Sequence, residues 1–443
     1  MKVRALPKDP GPAGWDALLG PPPKPVPLTE ATTADIIIIG AGFAGLAAAR
    51  QASLLDPSAR IAILEAARVG EGPAGRNSGF MIDLPHDLSS QDYGGQIEAD
   101  RSTTCDNRRA IDFAAQMAVD FDLPQDAFVK SGKINGAASE KGLKHNQDYA
   151  RHLSAMAEPF ELLDAAQMQQ ITGSRYYRAG LYTPGTAMVQ PALFVRGVAG
   201  GLRSNRVSLY ENSPVTALEK KGDWIAQTPQ GQVTAPKVIL AVNGHLQSFG
   251  YMPRQLMHVF TYASLTRALS ETEIAELGGE PTWGLTPSDP LGTTVRRISG
   301  RGGHRILIRN RFTYEPNLEV SDTALAKICA GHDASFAARF PNLKGVEMSH
   351  RWGGRLCLSL NGVQVVGELE EGLYSACVQN GLGTARGTLA GLLAAEHATG
   401  HSSEALERAL AAPAPRSLPP KPIAKIGATA RLKWGEWRAG REL

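Results

Sequence analysis

Ile36, Ile37, Ile38 and Ile39 form a β-branched run that follows Asp35 and ends at Gly40. Such a run predicts a strand buried on both faces, and hence a parallel sheet covered by helices. Ala44 to Leu55, rich in Ala and Leu, predicts one covering helix, and Arg60 to Glu65 predicts a second buried strand that completes a βαβ unit. Ile111, Ala114, Ala118 and Phe121 recur at helical spacing within Asn107 to Phe121, and Glu161 to Ile171 predicts another short helix. Val207 to Tyr210 and Lys237 to Ala241 predict further strands of the first sheet, joined through a charged hairpin that contains Gly222 and Gly231. From Gln255 to Glu319 the pattern changes to alternation, as in His258-Val259-Phe260-Thr261-Tyr262 and Arg305-Ile306-Leu307-Ile308. That predicts an antiparallel sheet, suited to wall a substrate pocket. Leu373 to Cys377 returns to the first sheet, and a Gly-rich turn leads into an Ala/Leu helix ending near Thr399.

The ends of the chain differ in character. The first 30 residues hold eight prolines, so residues 1–33 are expected to form an extended arm laid on the body. After Ala412 the tail is again Pro-rich and finishes with Arg431, Lys433, Trp434, Trp437 and Arg438. This is either a docking segment for a membrane surface or a partner, or a segment whose tryptophans pack on the body; packing is the expectation. The predicted division is therefore an arm (1–33), a first-sheet α/β domain (34–110, 180–250 and 350–400), a substrate domain (111–179 and 251–349) and a tail (401–443). The fold class is α/β: a Rossmann-like domain interleaved with an antiparallel-sheet α+β domain.

Composition narrows the function classes. With 443 residues, 43% of them hydrophobic and 20% charged, the chain can bury one large core or two interleaved ones. A formal charge of +3 with no long basic run argues against a nucleic-acid partner. Cys105, Cys329, Cys357 and Cys377 form no CxxC pair, which fits a reducing cytoplasm and no zinc site. No 18-residue apolar stretch predicts a transmembrane segment, and the prolines leave no apolar run for a signal peptide.

The chemistry starts at Gly40-Ala41-Gly42-Phe43-Ala44-Gly45, a GxGxxG placed directly between a buried strand and a helix. Gly40 permits the tight turn, Gly42 lets a pyrophosphate approach the backbone, and Gly45 lets helix and strand pack closely. The start of the helix then faces the phosphates. Glu65, with Ala66 behind it, ends the second strand, where a carboxylate accepts hydrogen bonds from ribose hydroxyls. The plain structural alternative is a glycine turn without nucleotide; strand, helix and acid together weigh against it.

Gly75-Arg76-Asn77-Ser78-Gly79-Phe80 follows, as a loop able to return across the pyrophosphate towards a flavin ring. With it the sequence resembles the D-amino-acid oxidase superfamily of FAD oxidoreductases, and the branch with glycine oxidase, sarcosine oxidase and γ-glutamylputrescine oxidoreductase in particular. The resemblance covers most of residues 34–400. It implies an adenine contact by the backbone of Val215, after Pro184-Gly185 and Gln190-Pro191, and a small-residue turn at Ala241-Val242-Asn243-Gly244 near the FAD. Trp352-Gly353-Gly354 and Gln379-Asn380-Gly381-Leu382-Gly383-Thr384 resemble the C-terminal block, whose helix start faces the flavin N1/O2 edge. Gly381, Gly383, Gly387 and Gly391 also have a plainer explanation, close packing of a helix on the sheet. Gly354 stands where some relatives attach FAD through a Cys, and Asn77 where others have a linking His, so noncovalent FAD is expected. Ile306-Leu307-Ile308 lacks the Lys that sarcosine oxidases place near flavin N5.

The resemblance implies oxidation of a C–N bond in a small-molecule amine or amino acid, with O2 or another electron acceptor. Pocket residues are sought on the alternating strands, where His258 and Tyr262 share a face and Arg296, Arg297, Arg309 and Arg311 bracket a hairpin. An Arg there can hold a carboxylate bidentately. His258, Tyr262, Arg297 and Arg309 are the choices. A same-family dehydrogenase feeding a quinone or carrier, a noncatalytic FAD-binding subunit or redox sensor, and an FAD monooxygenase stay open, as does the oligomeric state.

Overall fold

The computed structural model describes residues 1–85 and 94–443. Its first sheet has six strands in the order Val207–Tyr210, Ile61–Leu64, Ile36–Ile39, Lys237–Leu240, Leu373–Cys377, Val365–Glu370. All neighbours are parallel except the antiparallel edge pair Val365–Glu370 with Leu373–Cys377. The Ile36–Ile39 and Ile61–Leu64 strands are buried throughout, as β-branched runs sandwiched between layers must be. Helix Phe43–Leu55 lies along one face against helix Ala385–Thr399. Their approach is so close that a Cβ at Gly391 would lie 2.1 Å from the Ala44 carbonyl oxygen.

The second sheet has eight strands, in the order Met348–Ser359, Leu256–Thr266, Arg305–Tyr314, Thr294–Ile298, Trp283–Pro287, Lys133–Ala137, Ala179–Thr183, Glu161–Leu163. It is antiparallel except where Trp283–Pro287 runs parallel to Lys133–Ala137. The α/β class and its antiparallel companion are therefore as expected. A small four-stranded sheet contains the charged hairpin, and Ala31–Thr33 of the arm adds to it as a parallel strand beside Gln232–Ala235.

Three boundaries differ from the sequence-based division. The helix predicted from Asn107 begins at Ile97 and runs to Asp120; its Ile111, Ala114 and Met117 pack into the core of the first sheet, so a substrate domain does not start at residue 111. Met348–Ser359 pairs along its length with Leu256–Thr266, which places residues 350–359 in the eight-stranded sheet. Glu161 to Ile171 is split. Glu161–Leu163 is a strand, and Asp164 starts helix Ala165–Thr172 through a capping box with Gln167.

The ends also depart from simple expectation. The arm folds a single turn, Gly14–Ala17, and buries Trp15 completely. At the other end Lys421–Ala439 is a helix, and its tryptophans do not pack on the body: Trp434 is 56% and Trp437 75% exposed. The helix meets the eight-stranded sheet through Ala424, Ala428 and Leu432 instead. Among the described residues no helix is long and apolar enough to cross a membrane.

Candidate active site

The two sheets enclose a cavity of about 600 Å³. One end is built by the strand-to-helix turns of the first sheet. Gly40, Gly42, Phe43 and Ala44 line it, and helix Phe43–Leu55 starts there on Gly42 with no side chain capping its first amides. An uncapped helix start is a positive end with free N–H groups, a natural seat for a pyrophosphate. Glu65 lines the same end with Ala66. Its carboxylate accepts from the amide of Ala41 at 2.8 Å and of Ala67 at 3.2 Å, and burial pushes its pKa up.

Arg76, Asn77 and Ser78 line the cavity along the returning loop. Asn77 closes the loop on itself, donating to the Ala74 carbonyl at 2.7 Å and accepting from the Gly79 amide at 2.8 Å. Val215, Asn243, Gly244, Gly381, Leu382, Gly383 and Thr384 complete the wall. Thr384 is the N-cap residue of helix Ala385–Thr399 and donates its hydroxyl to the Phe80 carbonyl at 2.6 Å, which ties the second helix start to the loop strand.

Four of the cofactor-site candidates stand outside the lining, three glycines for a packing reason and Asn380 through its hydrogen bonds. A Cβ at Gly45 would lie 1.8 Å from the Gly40 carbonyl oxygen, and one at Gly75 1.8 Å from that of Gly70. At Gly79 it would meet the Arg296 guanidinium at 2.0 Å. Asn380 turns away, accepting from the Ser359 amide at 2.8 Å and donating to the carbonyls of Gly362 and Val363.

The other end of the cavity is the face of the eight-stranded sheet. His258, Thr261, Tyr262 and Arg309 line it; Arg297 does not. Arg296 and Arg297 are neighbours on one strand and therefore point to opposite faces. Arg297 turns outward to the Gly278 carbonyl, whereas Arg296 turns towards the loop and donates to the carbonyls of Ser78 and Val189, both at 2.8 Å. The Arg296 guanidinium also sits over the rings of Trp15 and Phe80. Sequence parity separates the two arginines but does not say which face carries the loop.

His258 Nε2 lies 2.6 Å from Gln247 Oε1, while its Nδ1 has no hydrogen-bond partner; Thr261 Oγ1 is likewise unpartnered. Burial, with the Arg355 guanidinium nearby, holds the His258 pKa down at about 4. The imidazole is therefore neutral at pH 7. Tyr262 bonds Thr313 Oγ1 at 2.6 Å, and burial raises its phenol to about 12. Cys357, beside His258 across the strand pair, lines the cavity as a thiol whose pKa burial raises far above neutrality.

The arm supplies a wall that composition alone did not reveal. Leu6, Asp9, Gly11, Pro12 and Ala13 line the cavity. Trp15 Nε1 donates to the Asn77 carbonyl at 2.7 Å, and Arg76 Nη1 donates to the carbonyls of Pro10 at 3.0 Å and Gly353 at 3.2 Å. A Pro-rich stretch shows no sign of this, because many of the partners are backbone carbonyls.

A strand-turn-helix dinucleotide end opening onto a sheet-lined pocket defines a flavoprotein oxidoreductase architecture. The family model "DAO: FAD dependent oxidoreductase" matches residues 35–397, and the chain belongs to that family. It is 25% identical over 379 residues to a probable oxidoreductase OrdL of Haemophilus influenzae, covering 84% of each chain. It is 26% identical over 392 residues to the γ-glutamylputrescine oxidoreductase of Escherichia coli, covering 83% of this chain and 84% of that one. Among solved structures it superposes on glycine oxidase from Geobacillus kaustophilus with a TM-score of 0.68 at 18% identity, over 84% of this chain and 96% of that one. An L-amino acid deaminase from Proteus myxofaciens gives 0.67 at 15%, over 91% and 97%. The protein is FAD-dependent, and the donors of the uncapped helix start and the unpartnered Thr261 hydroxyl, with the acceptors of the Glu65 carboxylate and His258 Nδ1, form a polar set that fits that cofactor.

Proposed function

We propose that the protein oxidises the C–N bond of an amino acid or related amine, giving an imine that water hydrolyses. The observation that carries this reading is the continuity of one cavity from Gly42 and Glu65 to Thr261, Tyr262 and Arg309. Bound FAD would supply the hydride acceptor. Gly40, Gly42, Phe43 and Ala44 would hold its pyrophosphate, Glu65 its ribose and Val215 its adenine side. Asn77, Ser78, Gly381, Leu382, Gly383 and Thr384 would border the flavin ring.

The chain's own task at the sheet end is to orient the substrate. The acidic residues lining the cavity, Asp9, Asp16, Glu65 and Glu71, belong to the arm and the dinucleotide end; the eight-stranded sheet contributes Arg309, Arg355 in its pair with Asp9, and no carboxylate. A substrate carboxylate seated on Arg309 would set its α-carbon above the cofactor end, with neutral His258 beside it. On strand Lys133–Ala137 of the same sheet, Lys133 reaches Thr286 of the neighbouring strand at 3.4 Å, and Thr286 lines the cavity; burial lowers the Lys133 ammonium to about 8. This charge pattern supports an amino acid, or a γ-glutamyl amine as for the Escherichia coli relative, over a bare polyamine.

Anaerobic absorbance scans against amino acids, N-methylated amino acids, γ-glutamyl polyamines and free polyamines test it. Bleaching of the flavin band by a carboxylate-bearing amine is the expected result. Rapid recovery with peroxide on admitting air assigns O2 as acceptor, and slow recovery assigns another. A band that no amine bleaches overturns the reading in favour of a noncatalytic FAD-binding chain.

A further inference from the structure

The C-terminal helix Lys421–Ala439 has two apolar faces, and the body uses only one. Ala424, Ala428 and Leu432 face the sheet, and Glu436 is turned the same way into an ion pair with Arg311 at 2.9 Å. The opposite face carries Ile423, Ile426, Trp434 and Trp437, exposed by 61%, 72%, 56% and 75%. At 3.6 residues per turn these four fall within an arc of about 80°, a stripe about 21 Å long. Among the described residues no other helix carries more than two exposed large apolar side chains.

The charges around the stripe are of one sign. Arg431 and Arg438 flank it on one side and Lys433 on the other, all exposed, with the Arg438 guanidinium over the Trp434 ring at 4.6 Å. Lys421 and Lys425 are exposed at the helix start, and Arg416 just before it. Between Glu407 and Glu436 the chain has no acidic residue. A second copy of this face would set these cations against their own kind, which disfavours self-association. A sheet of anionic headgroups over an apolar layer matches both features: cations at the phosphates, and indole and aliphatic groups just below them.

We propose that the outer face of helix Lys421–Ala439 docks the protein on an anionic lipid bilayer, with the helix lying flat in the interface. The helix packs against Phe312 and Tyr314, and Phe312 also lines the cavity beneath the Arg309 guanidinium, so docking would bring this wall of the cavity towards the membrane.

Flotation of the full-length holoprotein with vesicles tests this. Vesicles of phosphatidylcholine with an equal part of phosphatidylglycerol are expected to carry it up; phosphatidylcholine alone is expected to bind at least about tenfold more weakly, and added salt to release it. Trp434→Ser with Trp437→Ser, and separately Arg431→Gln with Lys433→Gln and Arg438→Gln, are each expected to cut partitioning by about tenfold or more while flavin absorbance and unfolding temperature stay unchanged. Two independent sets keep the test decisive if one variant folds poorly. Holoprotein that ignores the anionic vesicles, or variants that bind as well as the parent, overturn the proposal. So does a dimer on sizing that the tryptophan variants convert to monomer, which would make the face a self-interface. Retention of a soluble acidic protein without vesicle binding would make it a protein-docking face instead.

Discussion

Asp9 and Arg355 form a doubly hydrogen-bonded ion pair, with Arg355 Nε 3.1 Å from Oδ1 and Nη2 2.9 Å from Oδ2, and both side chains nearly buried. The pair joins the arm to strand Met348–Ser359 across the cavity. Asp9 lies before the span matched by the family model, yet both residues line the cavity. The arm thus behaves as part of the cavity wall: Arg76 donates to the carbonyls of Pro10 and Gly353 and Trp15 to that of Asn77, so the Gly75–Gly79 loop, arm and strand share one network.

Asp9→Ala leaves the Arg355 guanidinium buried without its carboxylate, a loss usually costing about 3–5 kcal/mol. Because the damage is local to the arm, FAD is expected to dissociate at least about tenfold faster, measured as recovery of flavin fluorescence on dilution. Asp9→Leu with Arg355→Leu removes both charges and is expected to retain FAD better than the single variant. Equal retention by Asp9→Ala and the parent would show that the arm does not hold the cofactor.

His258 sets a pH dependence of stability. Its folded pKa of about 4 lies below the ordinary value of 6.5, so between these pH values the unfolded chain binds the proton and the folded chain does not. Stability contributed by the neutral imidazole is present above pH 6.5 and is lost as pH falls towards 4. Between pH 7 and pH 5 this group alone is expected to remove about 2 kcal/mol. Urea unfolding at the two pH values checks it, and His258→Gln is expected to flatten the dependence; an unchanged slope in the variant would assign the protonation elsewhere, His245 being the nearest alternative.

Arg309 and Arg297 lie on opposite faces of the eight-stranded sheet, which makes the proposed substrate contact testable against a scaffold arginine. Arg309 lines the cavity, with its guanidinium over the Phe312 ring at 4.7 Å, and Arg297 is turned to Gly278 on the far side. Arg309→Ala is expected to weaken a carboxylate-bearing substrate by about 10- to 100-fold in the anaerobic flavin titration, the scale of one charged hydrogen-bonding contact. Arg297→Ala is expected to leave that titration unchanged and lower the unfolding temperature. The reverse pattern would move the carboxylate site off the Arg309 face.

The parts of the fold that the sequence made legible are those in which local pattern and global position agree. Ile36–Ile39, the glycine turn after it and Glu65 lie in one βαβ unit, whose spacing is set by the strand, the helix and the cofactor together. Arg309 and Tyr262 are legible as members of alternating strands, but strand parity gives two faces and not the one that is covered, so the pattern offers Arg297 where Arg296 is the residue that holds the Ser78–Gly79 backbone. Trp15 and Trp434 show the same limit. Both are tryptophans in Pro-rich or charged terminal segments, yet one is fully buried over the cofactor loop and the other is 56% exposed, because only tertiary contact decides between them.

Gly383 and Gly391 resolve the two explanations of the C-terminal glycine series. A Cβ at Gly391 would lie 2.1 Å from the Ala44 carbonyl oxygen, and that atom belongs to backbone that cannot move without shifting the helix. At Gly383 nothing lies within 4 Å, and the residue faces the cavity. Gly391→Ala is therefore expected to cost about 1–3 kcal/mol of stability by overpacking, and to weaken FAD binding only through the displaced Phe43–Leu55 helix. Gly383→Ala is expected to leave the apoprotein's unfolding midpoint within about 0.5 kcal/mol of the parent and to reduce FAD affinity directly, since its methyl group would occupy cofactor space. Thermal unfolding of the apoproteins beside a flavin titration reads both quantities. A stable, FAD-competent Gly383→Ala variant would remove that turn from the cofactor site.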